Sequence, residues 1–241
     1  MFTFFGKENN GSHYKVDFHS HLVPGIDDGC RDLEESMEVL RGLSGFGYTK
    51  IITTPHIHTE YFPNTEEILR ENFSLLKEEL QKNDIPVELE LAAEYYADDS
   101  FLEKISAQHP FLTFGNKHIL VETAFINRPV FLDAMIFELS SKGYQVILAH
   151  PERYLYLQEH FDEAIRLKSR GVFFQINLGS LSGMYAPEVK RMAEKLIDKK
   201  LVDFVGTDCH HAGQLDVLQR SFSKKSYKKL KKLPILNDNL L

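Results

Sequence analysis

The sequence predicts an α/β barrel of parallel strands, and two observations carry that prediction. Short β-type runs alternate with helical stretches from end to end, giving about seven strand–helix units. Such repetition implies parallel strands joined by right-handed crossovers. The length, 241 residues, is close to the roughly 250 residues of a typical barrel of this class. One barrel domain over 1–241 is therefore expected, with an N-terminal extension at 1–12.

Lys15-Val16-Asp17-Phe18 reads as the first strand. Asp32 follows as a helix cap, and Glu35 three residues on completes a capping-box pattern. Gly42, Gly45 and Gly47 are expected to close that helix. Lys50 to Thr54 is a β-branched run ended by Pro55. From Asn64 to Lys82, Leu69, Phe73, Leu76 and Leu80 recur at helical spacing. Pro86 to Ala92 is the third strand, with a short helix near Ser100 to Ala107 after it. Further strands are expected at His118–Val121, Tyr144–Ala149, Val172–Ile176 and Leu201–Val205. The helices between them fall at Pro129–Ser141, Asp162–Ser169 and Glu188–Asp198. The lysines at 224, 225, 228, 229, 231 and 232 read as a solvated helix face, with a docking surface for an acidic partner as the alternative.

Composition narrows the function classes. The chain is 43% hydrophobic and 26% charged, which supports a sizeable core. A net charge of -7 gives no footprint for nucleic acid. No apolar run approaches the ~18 residues of a membrane span, and the apolar start, Met1 to Lys7, is too short for a signal peptide. The two cysteines, Cys30 and Cys209, make no disulfide framework, which points to a reducing cytoplasm.

The chemistry gathers just past the strand ends. His19, His21, Asp27 and Asp28 follow the first strand, and His56 and His58 the second. Glu94, Glu122, then His150, Glu152 and Arg153, then Asn177, then Asp208, His210 and His211 follow the others. In a parallel barrel these ends share one face, where active sites are built. His19, His21, Glu94, Glu122, His150, Asp208 and His210 are read together as a metal-binding set. Imidazole and carboxylate are the usual ligands of Zn, Mn and Fe(II). Four histidines with at least four carboxylates, counting Asp28 on the same rim, suggest two or three ions rather than one. His58 and His211 are read as supporting or surface residues, and Asp27 as a turn residue in Asp27-Asp28-Gly29.

Arg153 is expected to bind phosphate. An arginine beside a cationic cluster is repelled unless an anion lies between, and its fork suits phosphate. The structural alternative is an ion pair with Glu152. A cysteine phosphatase needs an arginine six residues after its thiol, but Ser36 and Leu215 stand there. A Gly-x-x-x-x-Gly-Lys-Ser/Thr nucleotide loop is also missing from the sequence.

These residues resemble the PHP (polymerase and histidinol phosphatase) superfamily, and within it the bacterial tyrosine-protein phosphatases of capsular and exopolysaccharide synthesis. The resemblance runs from about Lys15 to His211. It rests on Asp17-Phe18-His19-Ser20-His21, Asp27-Asp28-Gly29, Glu34-Glu35-Ser36 and Thr53-Thr54-Pro55-His56. It continues through Ala93-Glu94-Tyr95-Tyr96, the strand to Glu122, Ala149-His150-Pro151-Glu152-Arg153-Tyr154 and Thr207-Asp208-Cys209-His210.

The resemblance implies a distorted (β/α)7 TIM-like PHP barrel and a trinuclear site. His19, His21 and Asp208 would hold one ion and share Glu94 with a second, which also takes Glu122 and His150. Asp28, His56 and His210 would hold the third. It implies Mn2+, with Fe, Zn or Co as alternatives, and Arg153 as the phosphate grip. The implied substrate is phosphotyrosine on the tail of a polysaccharide-synthesis tyrosine kinase. The family's second arginine has no counterpart in His211-Ala212-Gly213-Gln214-Leu215, where the next arginine is Arg220. Arg31 and Arg128 are candidate replacements, and a different substrate preference is the other reading.

The expected mechanism is in-line attack on phosphorus by a metal-bridging hydroxide held by the cluster, without a phosphoenzyme. Three rivals remain open on sequence: a phosphatase of a small monoester such as histidinol phosphate, a metal-dependent amidohydrolase, and a catalytically inactive metal-binding module.

Overall fold

The computed structural model describes residues 11–241. Residues 1–10, most of the extension read from the sequence, lie outside the described residues. In chain order come β1 (Val16–Asp17), α1 (Leu33–Gly45), β2 (Lys50–Thr53), β3 (His56–Ile57), α2 (Glu66–Lys82) and β4 (Glu88–Leu91). Next are β5 (Glu94–Tyr96), α3 (Asp99–Ser106), β6 (His118–Glu122), α4 (Leu132–Ser141), β7 (Gln145–Ala149), α5 (Leu155–Glu159) and α6 (Phe161–Ser169). The chain ends with β8 (Phe173–Asn177), α7 (Pro187–Asp198), β9 (Phe204–Gly206), α8 (Leu215–Ser221), α9 (Lys225–Leu230) and a 3-10 turn at Asn237–Leu240.

The architecture is α/β with parallel strands, as the sequence predicts. A three-stranded sheet, β1-β2-β4, adjoins a six-stranded sheet, β3-β5-β6-β7-β8-β9. β3 continues the path of β2 beyond Pro55, and β5 that of β4 beyond Ala92 and Ala93. Taken as continuous, these pairs leave seven strand positions, β1, β2/β3, β4/β5, β6, β7, β8 and β9. No ladder closes the ring between β9 and β1 among the described residues. That seam is held by a parallel bridge between Ser20 and Cys209. Asp208 N–H also donates to the His19 carbonyl at 2.7 Å, and His21 N–H to the Cys209 carbonyl at 2.9 Å.

The period-2 alternation of strands sorts their side chains into two cores. Val16, Phe18, Ile52, Leu120, Ile147, Ala149 and Phe204 pack together inside the ring. Their neighbours Ile51, Ile119, Val121, Val146, Leu148, Phe174, Ile176 and Val205 pack outward with the helices. Phe114 and Leu240 close the floor of the inner cluster. The C-terminal turn is tied there by Asn237, which accepts from Val205 N–H and donates to the Val16 and Val205 carbonyls. The tail thus joins the barrel, which a reading based on its lysines missed.

Local expectations are corrected at four points. Asp32 caps α1 through Glu35 N–H at 2.9 Å, but the Glu35 carboxylate accepts from Arg31 rather than returning to Asp32. Gly42 and Gly45 lie within α1, and Gly47, at φ +101°, is the residue that takes the left-handed turn. A Cβ at Gly42 would stand 2.6 Å from Leu215, so that glycine admits α8 against α1. Pro55 interrupts the second strand without ending its direction. Finally, α2 starts at Glu66 behind the Thr65 cap, not at Asn64.

Candidate metal centre

The inner alternation turns polar towards the C-terminal ends of the strands. Phe204 is followed by Gly206 and then Asp208, and Phe173 by Gln175 and Asn177. A Cβ at Gly206 would lie 2.6 Å from His19 Cβ, so the close approach of β9 to the His19 segment requires glycine there.

At this end nine predicted side chains meet. His19 Nε2 lies 3.2 Å from Glu94 and 3.3 Å from Asp208. His21 Nε2 faces the same carboxylates at 3.4 and 3.5 Å. His150 Nε2 stands 3.2 Å from Glu94 and 3.5 Å from Glu122. His56 reaches Glu94 at 3.3 Å with Nδ1 and Asp28 at 3.6 Å with Nε2. His210 Nε2 is 3.5 Å from Asp28. Four overlapping groups have donor atoms mutually within 4.8 Å: His21, Asp28, His56 and His210; His19, His21 and Glu94; His19, His150 and Asp208; and His56, Glu94 and Glu122.

The donors fit divalent cations on their own geometry. Gln175 Oε1 accepts from His150 N–H at 3.3 Å, which fixes the amide orientation, so the 2.8 Å contact makes His19 Nδ1 a donor. His19 Nε2 is then left as a lone pair facing the carboxylates. Asp27 likewise takes His21 Nδ1 at 2.8 Å, and the Asp208 carbonyl takes His210 Nδ1 at 2.9 Å. Anchored imidazoles presenting the opposite nitrogen are the usual support of metal-binding histidines. His21 Nε2, His56 Nδ1, Glu94 Oε1 and His150 Nδ1 are buried without a hydrogen-bond partner, an arrangement that needs a reason.

Electrostatics agree. Burial and the neighbouring Glu94 push the Glu122 carboxyl well above its ordinary range. Burial opposes ionisation of Glu94 too, but His19 and His56 hold it well below. Asp208, against the same burial, is held low by His19 and His210. A cation among these carboxylates would let all of them ionise. Two residues of the set also carry backbone strain: His150 and Asp208 sit at φ +32° and +51°.

Arg153 enters the cleft from the other side. Its Nη1 lies 3.4 Å from Asp208, and its guanidinium carbon lies over the rings of Phe125 and Tyr185 at 4.5 and 4.6 Å. The expected alternative pairing with Glu152 does not occur. Glu152 is buried facing Asn177 N–H and Ser180 Oγ, each at 2.7 Å. Arg31 and Arg128 do not supply a second cation either. Arg31 pairs with Glu35 on the surface, and Arg128 is held by Asp133 and Glu163. Arg153 is the only Lys or Arg among the described residues lining the cleft of about 500 Å³. His211 and Gln214 line it beyond the last motif.

Several participants have roles that the sequence did not assign to them. Asp27, read as a turn residue, does accept from Gly29 N–H, but it also orients His21. Gln175 orients His19, and Asn177 donates to Asp208 Oδ2 at 2.5 Å. Tyr185 donates to the same oxygen at 3.2 Å. Asp17 accepts from both Thr207 N–H and Thr207 Oγ, fixing the approach to Asp208. His58, read as a supporting residue, stacks on Tyr96 at 3.9 Å.

Comparison with known proteins adds family context. Residues 15–232 match the family model described as capsular polysaccharide synthesis, CpsB/CapC. The chain is 31% identical over 197 residues to the tyrosine-protein phosphatase YwqE of Bacillus subtilis, covering 81% of this chain and 77% of that protein. It is 25% identical to the tyrosine-protein phosphatase CpsB of Streptococcus pneumoniae, over 89% of this chain and 94% of that one. A crystal structure from work on YwqE and CpsB, described as unique metal-dependent tyrosine phosphatases, superposes with a TM-score of 0.77. The identity there is 28%, over 93% of this chain and 94% of the other. A histidinol phosphate phosphatase of Lactococcus lactis shares the fold at a TM-score of 0.58 and 15% identity, over 92% and 94% of the two chains.

Proposed function

The chain belongs to the CpsB/CapC family of capsular polysaccharide synthesis proteins, and from that premise we propose that it is a metal-dependent protein-tyrosine phosphatase. The observation that carries the reading is Arg153, the lone Lys or Arg of the cleft among the described residues, set beside a dense array of metal-type donors. Such an arginine needs anionic partners beside bound cations; Asp208 supplies one at 3.4 Å, and a phosphoryl group suits the guanidinium donors that Asp208 leaves without a partner.

In this reading His19, His21, Glu94 and Asp208 would hold one ion, and Glu94, Glu122 and His150 a second. Asp28, His56 and His210 would hold a third. Oxygen and imidazole donors suit Mn2+, with Fe, Zn and Co as competitors for the same set. Such ions supply Lewis acidity and lower the pKa of a coordinated water to about 7.

The protein's own residues do the rest. Gln175 and Asp27 hold the imidazole tautomers, and Asn177 and Tyr185 hold the Asp208 carboxylate. Arg153 grips the phosphoryl oxygens and neutralises charge that grows on them. No general acid is required of the protein, because a phenolate, with a pKa of about 10, leaves readily. The phosphotyrosine is that of a polysaccharide-synthesis tyrosine kinase tail, met in the cytoplasm. Two buried free thiols suit that compartment, and no helix of the described residues is long and apolar enough to cross a membrane.

The test is hydrolysis of a phosphotyrosine peptide beside histidinol phosphate, with Mn2+ and with chelator. Metal-dependent turnover of the peptide is expected. Arg153→Ala should lower kcat/KM about 10- to 150-fold, the worth of a charged hydrogen-bonding group. A metal-replete protein that turns over only histidinol phosphate would replace the tyrosine-phosphatase reading.

A further inference from the structure

We propose that Phe125 and Tyr185 form an aromatic clamp that fixes the guanidinium of Arg153 edge-on to the cleft, making both of them positioning residues for phosphate binding. The inference rests on the phosphatase reading above and adds two side chains that do not themselves carry charge.

Three observations place them in this role. The guanidinium carbon lies 4.5 Å from the Phe125 ring centre and 4.6 Å from that of Tyr185, within the range where a cation is held by ring quadrupoles. With rings against the guanidinium, its in-plane N–H groups are the part left for hydrogen bonding. Of its five donors, only Nη1 has a partner among the described residues, Asp208 at 3.4 Å. The other donors belong to a group that lines the cleft. That is the arrangement a planar fork needs to meet a tetrahedral oxyanion.

Neither ring is explained by core packing alone. Phe125 is 38% exposed and stands at the cleft wall. Its backbone carbonyl accepts from Leu155 N–H at 2.7 Å, two residues beyond Arg153, which ties the ring's loop to the arginine's own segment. Tyr185 uses its hydroxyl on Asp208 Oδ2 at 3.2 Å, the oxygen that Arg153 Nη1 also approaches. Tyr185 therefore references the arginine to a carboxylate of the donor array. A long, rotatable side chain next to a cationic cluster would otherwise swing out to solvent, and the two rings oppose that motion.

The test compares wild type, Phe125→Leu, Phe125→Tyr and Tyr185→Leu as full-length, metal-loaded proteins. Metal content is measured for each. Affinity for inorganic phosphate is read by calorimetry, and kinetics with a phosphotyrosine peptide are read alongside. Phe125→Leu and Tyr185→Leu should each weaken phosphate binding about 3- to 30-fold, the range of a partly desolvated cation–π contact. Metal content in Phe125→Leu should match wild type, and Phe125→Tyr should restore phosphate affinity, since it restores the ring face. Undiminished phosphate affinity in Phe125→Leu, or failure of Phe125→Tyr to rescue it, overturns the clamp. Wild type inert on the peptide sinks the tyrosine-phosphatase reading instead, while the phosphate titration still judges the clamp.

Discussion

Replacing Asp27 by Asn tests how the donor array is held together. The carboxylate makes three short contacts: Oδ2 with His21 Nδ1 at 2.8 Å and His56 N–H at 3.0 Å, and Oδ1 with Gly29 N–H at 3.0 Å. All three partners donate. An asparagine has one acceptor oxygen, so at least one donor must face an NH2 group. A buried donor left unsatisfied costs about 1–3 kcal/mol, and the apoprotein should lose about that much stability. If the amide nitrogen turns towards His21, the imidazole tautomer switches and Nε2 becomes protonated. Loss of such a supporting contact lowers metal affinity about 10- to 100-fold. Protonation state adds a second signature. Burial works against the Asp27 charge, but His21 and then His56 hold its carboxyl at about 2, below the ordinary 3.8. A lowered carboxyl stabilises the fold above 3.8 and loses that contribution as pH falls towards 2. The wild-type apoprotein should therefore lose more stability than Asp27→Asn over that interval. Thermal unfolding of both apoproteins across pH, with chelator-competition titration of metal, reads both effects. An Asn variant with wild-type metal affinity and wild-type apo stability would refute the reasoning.

Three further outcomes follow from other parts of the structure. Burial pushes the Cys30 thiol up to about 12 and Cys209 well above its usual range. Both should therefore stay protonated at pH 7–8, and iodoacetamide should leave phosphatase activity intact; rapid inactivation tracking alkylation of either would count against the mechanism. Asn237→Ala removes three buried hydrogen bonds beneath the barrel and should cost about 2–4 kcal/mol in denaturant unfolding. Gly206→Ala sets a methyl group 2.6 Å from His19 Cβ. It should destabilise by about 1–3 kcal/mol through overpacking and weaken metal binding, both measurable on the purified variant.

The fold was legible wherever a single chain segment carries its own signal. Lys50 to Thr53 is β-branched and apolar, and Leu69, Leu76 and Leu80 repeat at helical spacing, so each element announces its partner face. The ligand-type residues were legible because each lies at or just past the C-terminal end of a strand position, with His56 and Glu94 opening the short extensions β3 and β5 and Glu122 ending β6, and parallel strands deliver those ends to one rim. What escaped depends on contacts between distant segments. Gln175 is 156 residues from the His19 ring it orients, and Asp17 is 190 residues from Thr207. Nothing local in a glutamine or an aspartate declares such a partner. Phe125 and Tyr185 carry no local signal of their role, because only the fold sets Arg153 against them. Pro55 was read as a stop because proline breaks pairing locally, yet the chain resumes beside β5 through the His56–Glu94 register. The C-terminal turn was obscured by its lysines, because the residues that dock it, Asn237 and Leu240, lie beyond them.

The measurement closest to the central claim is reconstitution of stripped protein. Apoprotein prepared with chelator is titrated with Mn2+ while hydrolysis of a phosphotyrosine peptide and bound metal are followed together. The account predicts no turnover without metal, recovery that saturates at two to three ions per chain, and loss of that recovery in His19→Ala. Full activity of the apoprotein, or recovery in His19→Ala equal to wild type, would contradict it.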